Sequence, residues 1–147
     1  MSPASPLEQT PPGPMPPGLT AAERLLADVV LAGRGAVVNV RRAGPHARLA
    51  PWLLGNGLLI YVGHAGNRHA WPESDFANPF HREARSDRAG MVSRYRDWLV
   101  VESGLLDRLA AGELRGRALG CWCAPLACHA DVLLEADVLL ECGGGTC

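Results

Sequence analysis

The chain contains no lysine, so its fourteen basic side chains are all arginines. Fifteen acidic residues balance them to a formal net charge of −1, and no overall field favours nucleic acid or an anionic membrane. Isoleucine is nearly missing too, since Ile60 is the only one. This composition, rich in glycine and proline, indicates a GC-rich coding bias more than a selected guanidinium chemistry such as phosphate binding. The presence of an arginine in this chain is therefore not by itself evidence of a phosphate-binding site.

Long apolar runs are missing as well. No stretch approaches the ~20 residues that cross a membrane, and residues 1–8 lack the basic start and apolar centre of a signal peptide. We therefore expect a cytoplasmic protein that does not contact a membrane. Thiols stay reduced in that compartment, and five cysteines, an odd number with three in one turn, do not suggest a disulfide framework.

Three well-known site motifs are also missing: the Walker loop, the Gly-x-Gly-x-x-Gly fingerprint and the Gly-x-Ser-x-Gly elbow. Standard NTPases, dinucleotide-binding enzymes and α/β-hydrolases are therefore disfavoured. Any chemistry of this chain has to come from another arrangement of side chains.

Proline content and apolar periodicity divide the chain into three parts. Residues 1–19 hold seven of the twelve prolines and predict a disordered leader, and residues 142–147 predict a flexible tail. Residues 20–141 have the patterning of a single α/β domain. Helices are predicted over residues 21–32, 88–101, 105–111 and 128–141, strands over 36–41, 58–63 and 118–122, and loops over 42–57 and 64–87.

The last predicted helix contains the same hexapeptide twice, at residues 130–135 and 136–141. A six-residue period matches neither a heptad nor the 3.6-residue turn, so the apolar face must drift around the helix axis. We interpret the repeat as a local duplication that lengthened the helix.

Strands that alternate with helices predict a small Rossmann-like, three-layer α/β domain with a short, mainly parallel sheet. In such sheets ligands bind beyond the carboxyl ends of the strands. The three predicted strands end in polar or reactive residues. These are Arg41 and Arg42, then Gly63 and His64, then Cys121 and Cys123. The coincidence predicts one common site.

The densest chemistry lies in residues 120–131, between the third strand and the last helix. Cys128 and His129 are expected at an exposed helix entrance, where unpaired N–H groups favour a thiolate. We expect Cys128 as the nucleophile or key thiol, His129 as acid/base, and Asp131 as a group that orients His129 or caps the helix. Cys123 is a further catalytic candidate.

A small phosphate-bearing, nucleotide-like ligand is the expected partner of this enzyme-like site. Arg41 and Arg42 would clamp its anionic group. The other expected ligand-binding residues are Tyr61, Gly63, His64 and Asn78. The ligand class depends on arginines, a helix N-terminus and fold-level analogy.

Two other interpretations stay open. Cys121, Cys123, Cys128 and His129 could bind zinc as a Cys3His site, which would make the domain a non-enzymatic, zinc-stabilised interaction module. The cysteines could equally be small buried hydrophobes without chemistry. Nucleic-acid binding is a weaker alternative, because it needs a basic face that composition does not reveal.

Several segments together resemble a family of bacteria and phages known as domain of unknown function 4326. They lie at residues 38–42, 61–63, 78–80, 95–99 and 121–131. The last, Cys-Trp-Cys-x-Pro-x-x-Cys-His-x-Asp, is the most specific of them. The resemblance spans residues ~36–135 and implies a fold and a set of positions, but no reaction. His64 and Ala77 depart from the family pattern, which has a basic residue and a glycine there.

Overall fold

A computed structural model of the protein describes residues 12–66 and 71–143, with side chains as far as Glu141. The strands are β1 (Ala36–Asn39), β2 (Leu59–Tyr61) and β3 (Ala118–Cys121). The α-helices are α1 (Ala21–Leu31), α2 (Leu49–Gly55), α3 (Arg88–Val101), α4 (Leu106–Ala110) and α5 (His129–Gly143), and a 3-10 helix spans His81–Arg85.

The sheet has the order β1-β3-β2, and both strand pairs are parallel. Its central strand β3 is therefore the last in sequence and is buried along its whole length. The register places Ala118 between Ala36 and Leu59, and Gly120 between Val38 and Tyr61. The carboxyl ends of all three strands meet at one edge, with the residues after β3 at the centre of that edge.

Helices cover both faces of this sheet. Alternate strand residues point to opposite faces, so Val38 and Leu59 join the core beneath α1 and α2, whereas Leu119 and Cys121 join the core beneath α3, α4 and α5. The predicted three-layer α/β architecture with a short parallel sheet is confirmed.

One carboxylate fixes the first helical layer. Glu23 is 2 % exposed and forms a capping box with Thr20 at the start of α1. Its second oxygen accepts the N–H groups of Arg48 and Leu49 at 3.1 and 2.8 Å, which satisfies the start of α2 as well. These backbone hydrogen bonds outweigh burial and lower the pKa of Glu23, although burial, which raises it, is the largest single contribution.

Helix α2 corrects the expectation that residues 42–57 form a loop. Pro51 suggested a loop, but it lies in the first turn of α2, where its missing N–H has no intrahelical partner to lose. The expected loop over residues 64–87 likewise contains the 3-10 helix.

The ends of the chain are only partly described. Residues 1–11 and 144–147 lie outside the described residues, as does His69 in the internal gap. The side chains of Cys142 and Cys147 are not described either. Residues 12–19 contact α2: Trp52 Nε1 donates to the Pro14 carbonyl at 2.9 Å. Disorder of residues 1–19 stays a prediction.

The repeated hexapeptide meets two different environments along α5, because six residues rotate a helix well past one turn. In the first copy Val132 and Leu133 are buried. In the second copy the equivalent Val138 and Leu139 are 49 % and 64 % exposed. The predicted drift of the apolar face is confirmed. Within the described part of the chain no helix is long and apolar enough to span a membrane.

Gly120→Ala should lower the free energy of unfolding by about 1–3 kcal/mol. A Cβ there would lie 2.8 Å from Val40 Cγ1 and 3.0 Å from Leu59 Cδ2, inside the core beneath α1 and α2. Urea unfolding measures the effect. The matched control is Gly55→Ala in α2, where a Cβ meets nothing within 4 Å and the change should be small or stabilising. Equal losses in the two variants would contradict the packing described for β3.

Candidate functional site

A cavity of about 220 Å3 lies where the carboxyl ends of β2 and β3 meet the start of α5. It brings together seven predicted site residues: Gly63, His64, Asn78, Cys121, Cys123, Cys128 and His129. Four further residues complete its lining: His81, Ala84, Met91 and Trp122. Arg41, Arg42, Tyr61 and Asp131, the other predicted site residues, do not line it.

The turn after β3 is held by Asn39, the last residue of β1. Its side-chain Nδ2 donates to the carbonyls of Ala124 at 2.7 Å and Trp122 at 3.3 Å, while its Oδ1 accepts the Arg41 N–H at 2.8 Å. Asn39 is 4 % exposed, so these bonds form in a buried environment where an unsatisfied carbonyl is costly. The first strand thereby fixes the backbone on either side of Cys123.

Cys128 is buried, which corrects the expectation of an exposed thiol at the helix entrance. Its side chain is completely inaccessible, and its Sγ lies 3.5 Å from Cys121 Sγ. The thiol donates its one proton to Cys121 Sγ, and hydrogen bonding with the sulfurs of Cys121 and then Cys123 is the main cause of a raised Cys128 pKa. Cys128 therefore holds its proton.

Cys123 has the opposite electrostatic environment. The hydrogen bond from the Cys128 thiol, followed by the Arg88 guanidinium and the charge of Arg41, lowers the pKa of Cys123 to about 6 against the effect of burial. Its side chain is half-buried and lines the cavity. At neutral pH the thiolate that a ligand can reach is Cys123, because Cys121, whose pKa is also lowered by Cys128, is 1 % exposed.

His129 and Asp131 organise the start of α5. The Cys128 N–H donates to Asp131 Oδ2 at 2.9 Å, so Asp131 caps the helix, one of the two roles predicted for it. His129 is 6 % exposed and donates from Nε2 to the Val62 carbonyl at 2.6 Å. Burial lowers the pKa of His129, which keeps the ring neutral. This contact joins β2 to α5, and an acid/base role for His129 stays a prediction.

Asn78 shapes the opposite wall of the cavity. Its Oδ1 accepts the Phe80 N–H at 2.9 Å, which forms the turn, and its Nδ2 contacts Met91 Sδ at 2.8 Å. Its backbone carbonyl accepts from His64 Nε2 at 2.6 Å and from His81 Nδ1 at 3.2 Å. Asn78 is therefore a positioning residue whose side chain is already satisfied within the protein.

His64 lines the cavity and contacts two acceptors. Its Nδ1 lies 2.7 Å from Glu73 Oε2, and its Nε2 lies 2.6 Å from the Asn78 carbonyl. These two contacts hold the imidazole ring in place at the rim of the cavity. His81 packs against it with ring centroids 4.2 Å apart.

Tyr61 supports the cavity from behind. Trp122 Nε1 donates to the Tyr61 hydroxyl at 2.6 Å, and that hydroxyl donates to the His64 carbonyl. A Cβ on Gly63 would lie 2.5 Å from the same hydroxyl, so glycine is required there. Tyr61 orients Trp122 and the residues after β2 without lining the cavity itself.

The predicted pair Arg41 and Arg42 does not line the cavity. Both side chains are exposed, and only Arg41 is near enough to Cys123 to lower its pKa. The stronger basic neighbour is Arg88, which sequence reasoning missed; its Nη1 donates to the Ala127 carbonyl at 2.8 Å. Arg88 stands at the start of an amphipathic helix, where an arginine is most simply interpreted as part of the solvated face.

A Cys3His metal site was the alternative interpretation of this cluster. Among residues 12–66 and 71–141, no group of three or more His, Cys, Asp and Glu side chains is placed to hold an ion. His129 Nε2 donates to the Val62 carbonyl, so this nitrogen is already engaged within the protein. Zinc binding by Cys121, Cys123, Cys128 and His129 stays a prediction.

Comparison with known proteins gives one match. The model of the family described as Domain of unknown function (DUF4326) matches residues 32–138. No curated protein and no solved structure matches the chain.

Asn39→Asp should lower the free energy of unfolding by about 2 kcal/mol or more, because a buried carboxylate cannot donate to the Trp122 and Ala124 carbonyls. Chemical denaturation measures the loss. Asn56→Asp is the matched control: Asn56 also donates to a carbonyl, that of Trp52 at 2.7 Å, but it is only half-buried. A larger loss for Asn56→Asp would contradict the role given to Asn39.

Iodoacetamide should modify Cys123 before Cys121 or Cys128 in the folded protein, because only Cys123 combines a lowered pKa with access. Peptide mapping after short exposure measures the order. Arg88→Gln should slow the modification of Cys123 by about threefold to fivefold near its pKa, since the thiolate loses a cationic neighbour. Arg42→Gln is the control and should leave the rate unchanged. Faster modification of Cys128 would show that the roles are reversed.

Proposed function

The chain belongs to the DUF4326 family, whose description assigns no function, and we propose one from the site itself. The domain is an enzyme-like domain that binds a small phosphate-bearing, nucleotide-like ligand at the carboxyl edge of its sheet. Cys123 is its nucleophile or key thiol, in place of Cys128. The observation that carries the proposal is the half-buried Cys123 side chain, which lines the cavity beside groups that lower its pKa.

The thiolate is stabilised by groups whose positions are fixed. Cys128 donates from a fully buried thiol, and Arg88 is anchored on the Ala127 carbonyl. Such a preformed environment lowers the free energy of the charged nucleophile without reorganisation during the reaction. A cysteine that only filled space would need neither the arginine nor the donor thiol.

Positive charge around the cavity favours an anionic ligand. Arg88 and Arg41 both lie near enough to Cys123 to stabilise its charge. Guanidinium groups bind phosphate oxygens in pairs of hydrogen bonds. Arg88 therefore replaces Arg42 in the anion clamp, and Arg41 keeps its predicted place.

The size of the cavity limits the enclosed part of the ligand. Its volume of about 220 Å3 is below the roughly 300–1,000 Å3 of sites that enclose whole drug-sized ligands. The interior is lined by Met91, Ala84 and Trp122, which suit a ring. A nucleotide-like ligand would place its base or sugar inside and its phosphate outside, toward Arg88.

Binding of nucleoside monophosphates should raise the melting temperature of the reduced protein, because a ligand that binds only the folded state stabilises it. Arg88→Gln should lose most of this shift, and Arg42→Gln should keep it. The panel contains the monophosphates, the corresponding nucleosides, ribose 5-phosphate and inorganic phosphate.

No shift with any compound, or an equal shift in wild type and Arg88→Gln, would contradict the proposal. Metal analysis of protein purified without added zinc tests the rival zinc module. One equivalent of zinc, with unfolding on chelation, would favour that module over the enzyme-like site.

A further inference from the structure

Three thiols lie together at the cavity. Cys121, Cys123 and Cys128 all border it, Cys128 is hydrogen-bonded to Cys123, and its Sγ lies 3.5 Å from Cys121 Sγ. At 3.5 Å the two sulfurs are hydrogen-bonded but not covalently joined, since a disulfide bond is about 2.05 Å long. Cys128 therefore needs only a local shift to bond a neighbouring sulfur.

The three cysteines differ sharply in exposure. Although all of them border the cavity, Cys128 and Cys121 are only 0 % and 1 % exposed, so a dissolved oxidant does not contact their sulfurs in this conformation. Cys123 is half-buried and opens on the cavity, which has room for a small molecule. The first oxidation must therefore take place at Cys123, and the second thiol must come from inside the protein.

We infer that the three cysteines form a redox centre that reduces hydroperoxides, in which Cys123 is the peroxide-reactive thiol and Cys128 is the resolving thiol. The inference rests on the proposed function in one respect, since it takes Cys123 to be the reactive thiol of the site. It adds an oxidant class and a partner residue that binding of a phosphate-bearing ligand does not require.

The reaction balances with the hydroperoxide as its only co-reactant. The Cys123 thiolate attacks the O–O bond; a sulfur–oxygen bond forms, the O–O bond breaks, and the alkoxide leaves as the alcohol after taking a proton from solvent. The Cys128 sulfur then attacks the sulfenic acid of Cys123. A disulfide forms, and the hydroxyl leaves with the Cys128 proton as water. Two thiols are oxidised, and one hydroperoxide is reduced to an alcohol and water.

Cys121 gives the disulfide a second position. Because its sulfur contacts Cys128, thiol–disulfide exchange can convert a Cys123–Cys128 bond into a Cys121–Cys128 bond and free Cys123 again. The exchanged bond would join the two least exposed sulfurs of the site. Cys121→Ser removes this second position, so the first disulfide can be identified in that variant.

The test exposes fully reduced, full-length protein to one equivalent of hydrogen peroxide, followed by intact mass and disulfide mapping. Wild type should lose two hydrogen atoms, and Cys121→Ser should contain a Cys123–Cys128 disulfide. Cys128→Ser should instead gain one oxygen at Cys123, trapped by dimedone. Cys128→Ala, mapped in the same way, covers the case in which serine is not tolerated in the core.

Cys123→Ser is the decisive variant and should react about tenfold or more slowly, because its remaining site thiols are buried. An equal rate in Cys123→Ser, or a wild-type disulfide without Cys128, would overturn the inference. Iodoacetamide treatment of the same reduced samples separates the two proposals. Rapid alkylation of Cys123 without a peroxide-induced disulfide would leave the nucleophile assignment intact and refute only the resolving role of Cys128.

Discussion

The buried amide of Asn39 is the constraint on which the site depends. By donating to the carbonyls of Trp122 and Ala124, it ties the end of β1 to the turn that follows the central strand. That turn holds Cys123 over the cavity and returns the chain so that Cys128 lies against Cys121. Without these two hydrogen bonds, the Trp122 and Ala124 carbonyls would lose their side-chain partner. The turn that holds the three sulfurs near each other would then lose this restraint. The parallel sheet determines the edge at which the site forms, and Asn39 determines its geometry.

Much of the architecture could be predicted because it follows from periodicity. The apolar strands, the stripe on α3 and the start of α5 at the cysteine cluster depend on short-range spacing, which the chain shows clearly. The position of the candidate site could be predicted from the rule that ligands bind beyond the carboxyl ends of parallel strands. Helix α2 could not be predicted in this way, since its start is stabilised by Glu23, twenty-six residues before Leu49. The buried hydrogen-bonding role of Asn39 could have been predicted, because Asn39 is a polar residue in an otherwise apolar strand.

The division of roles among the cysteines could not be predicted from spacing. Position at a helix start favours Cys128 as the thiolate, but hydrogen bonding with its neighbouring sulfurs and burial keep its proton in place. Cys123 has a cationic neighbour that lowers its pKa, because Arg88 reaches it from α3, thirty-five residues earlier in the chain. The same long-range geometry replaces the predicted pair Arg41 and Arg42 by Arg41 and Arg88. Thiol reactivity here is a property of the tertiary fold, and the sequence shows only which residues can take part.

The central claim is that one cavity-lining cysteine is a thiolate at neutral pH. A direct measurement is the ultraviolet absorbance of thiolate as a function of pH in the reduced, folded protein, with Cys123→Ser as the reference. The difference between the two titrations should show one thiolate forming with a pKa of about 6. If both proteins instead gain thiolate absorbance together, and only around the ordinary thiol pKa of about 8.5, Cys123 is not the stabilised thiolate and the account fails.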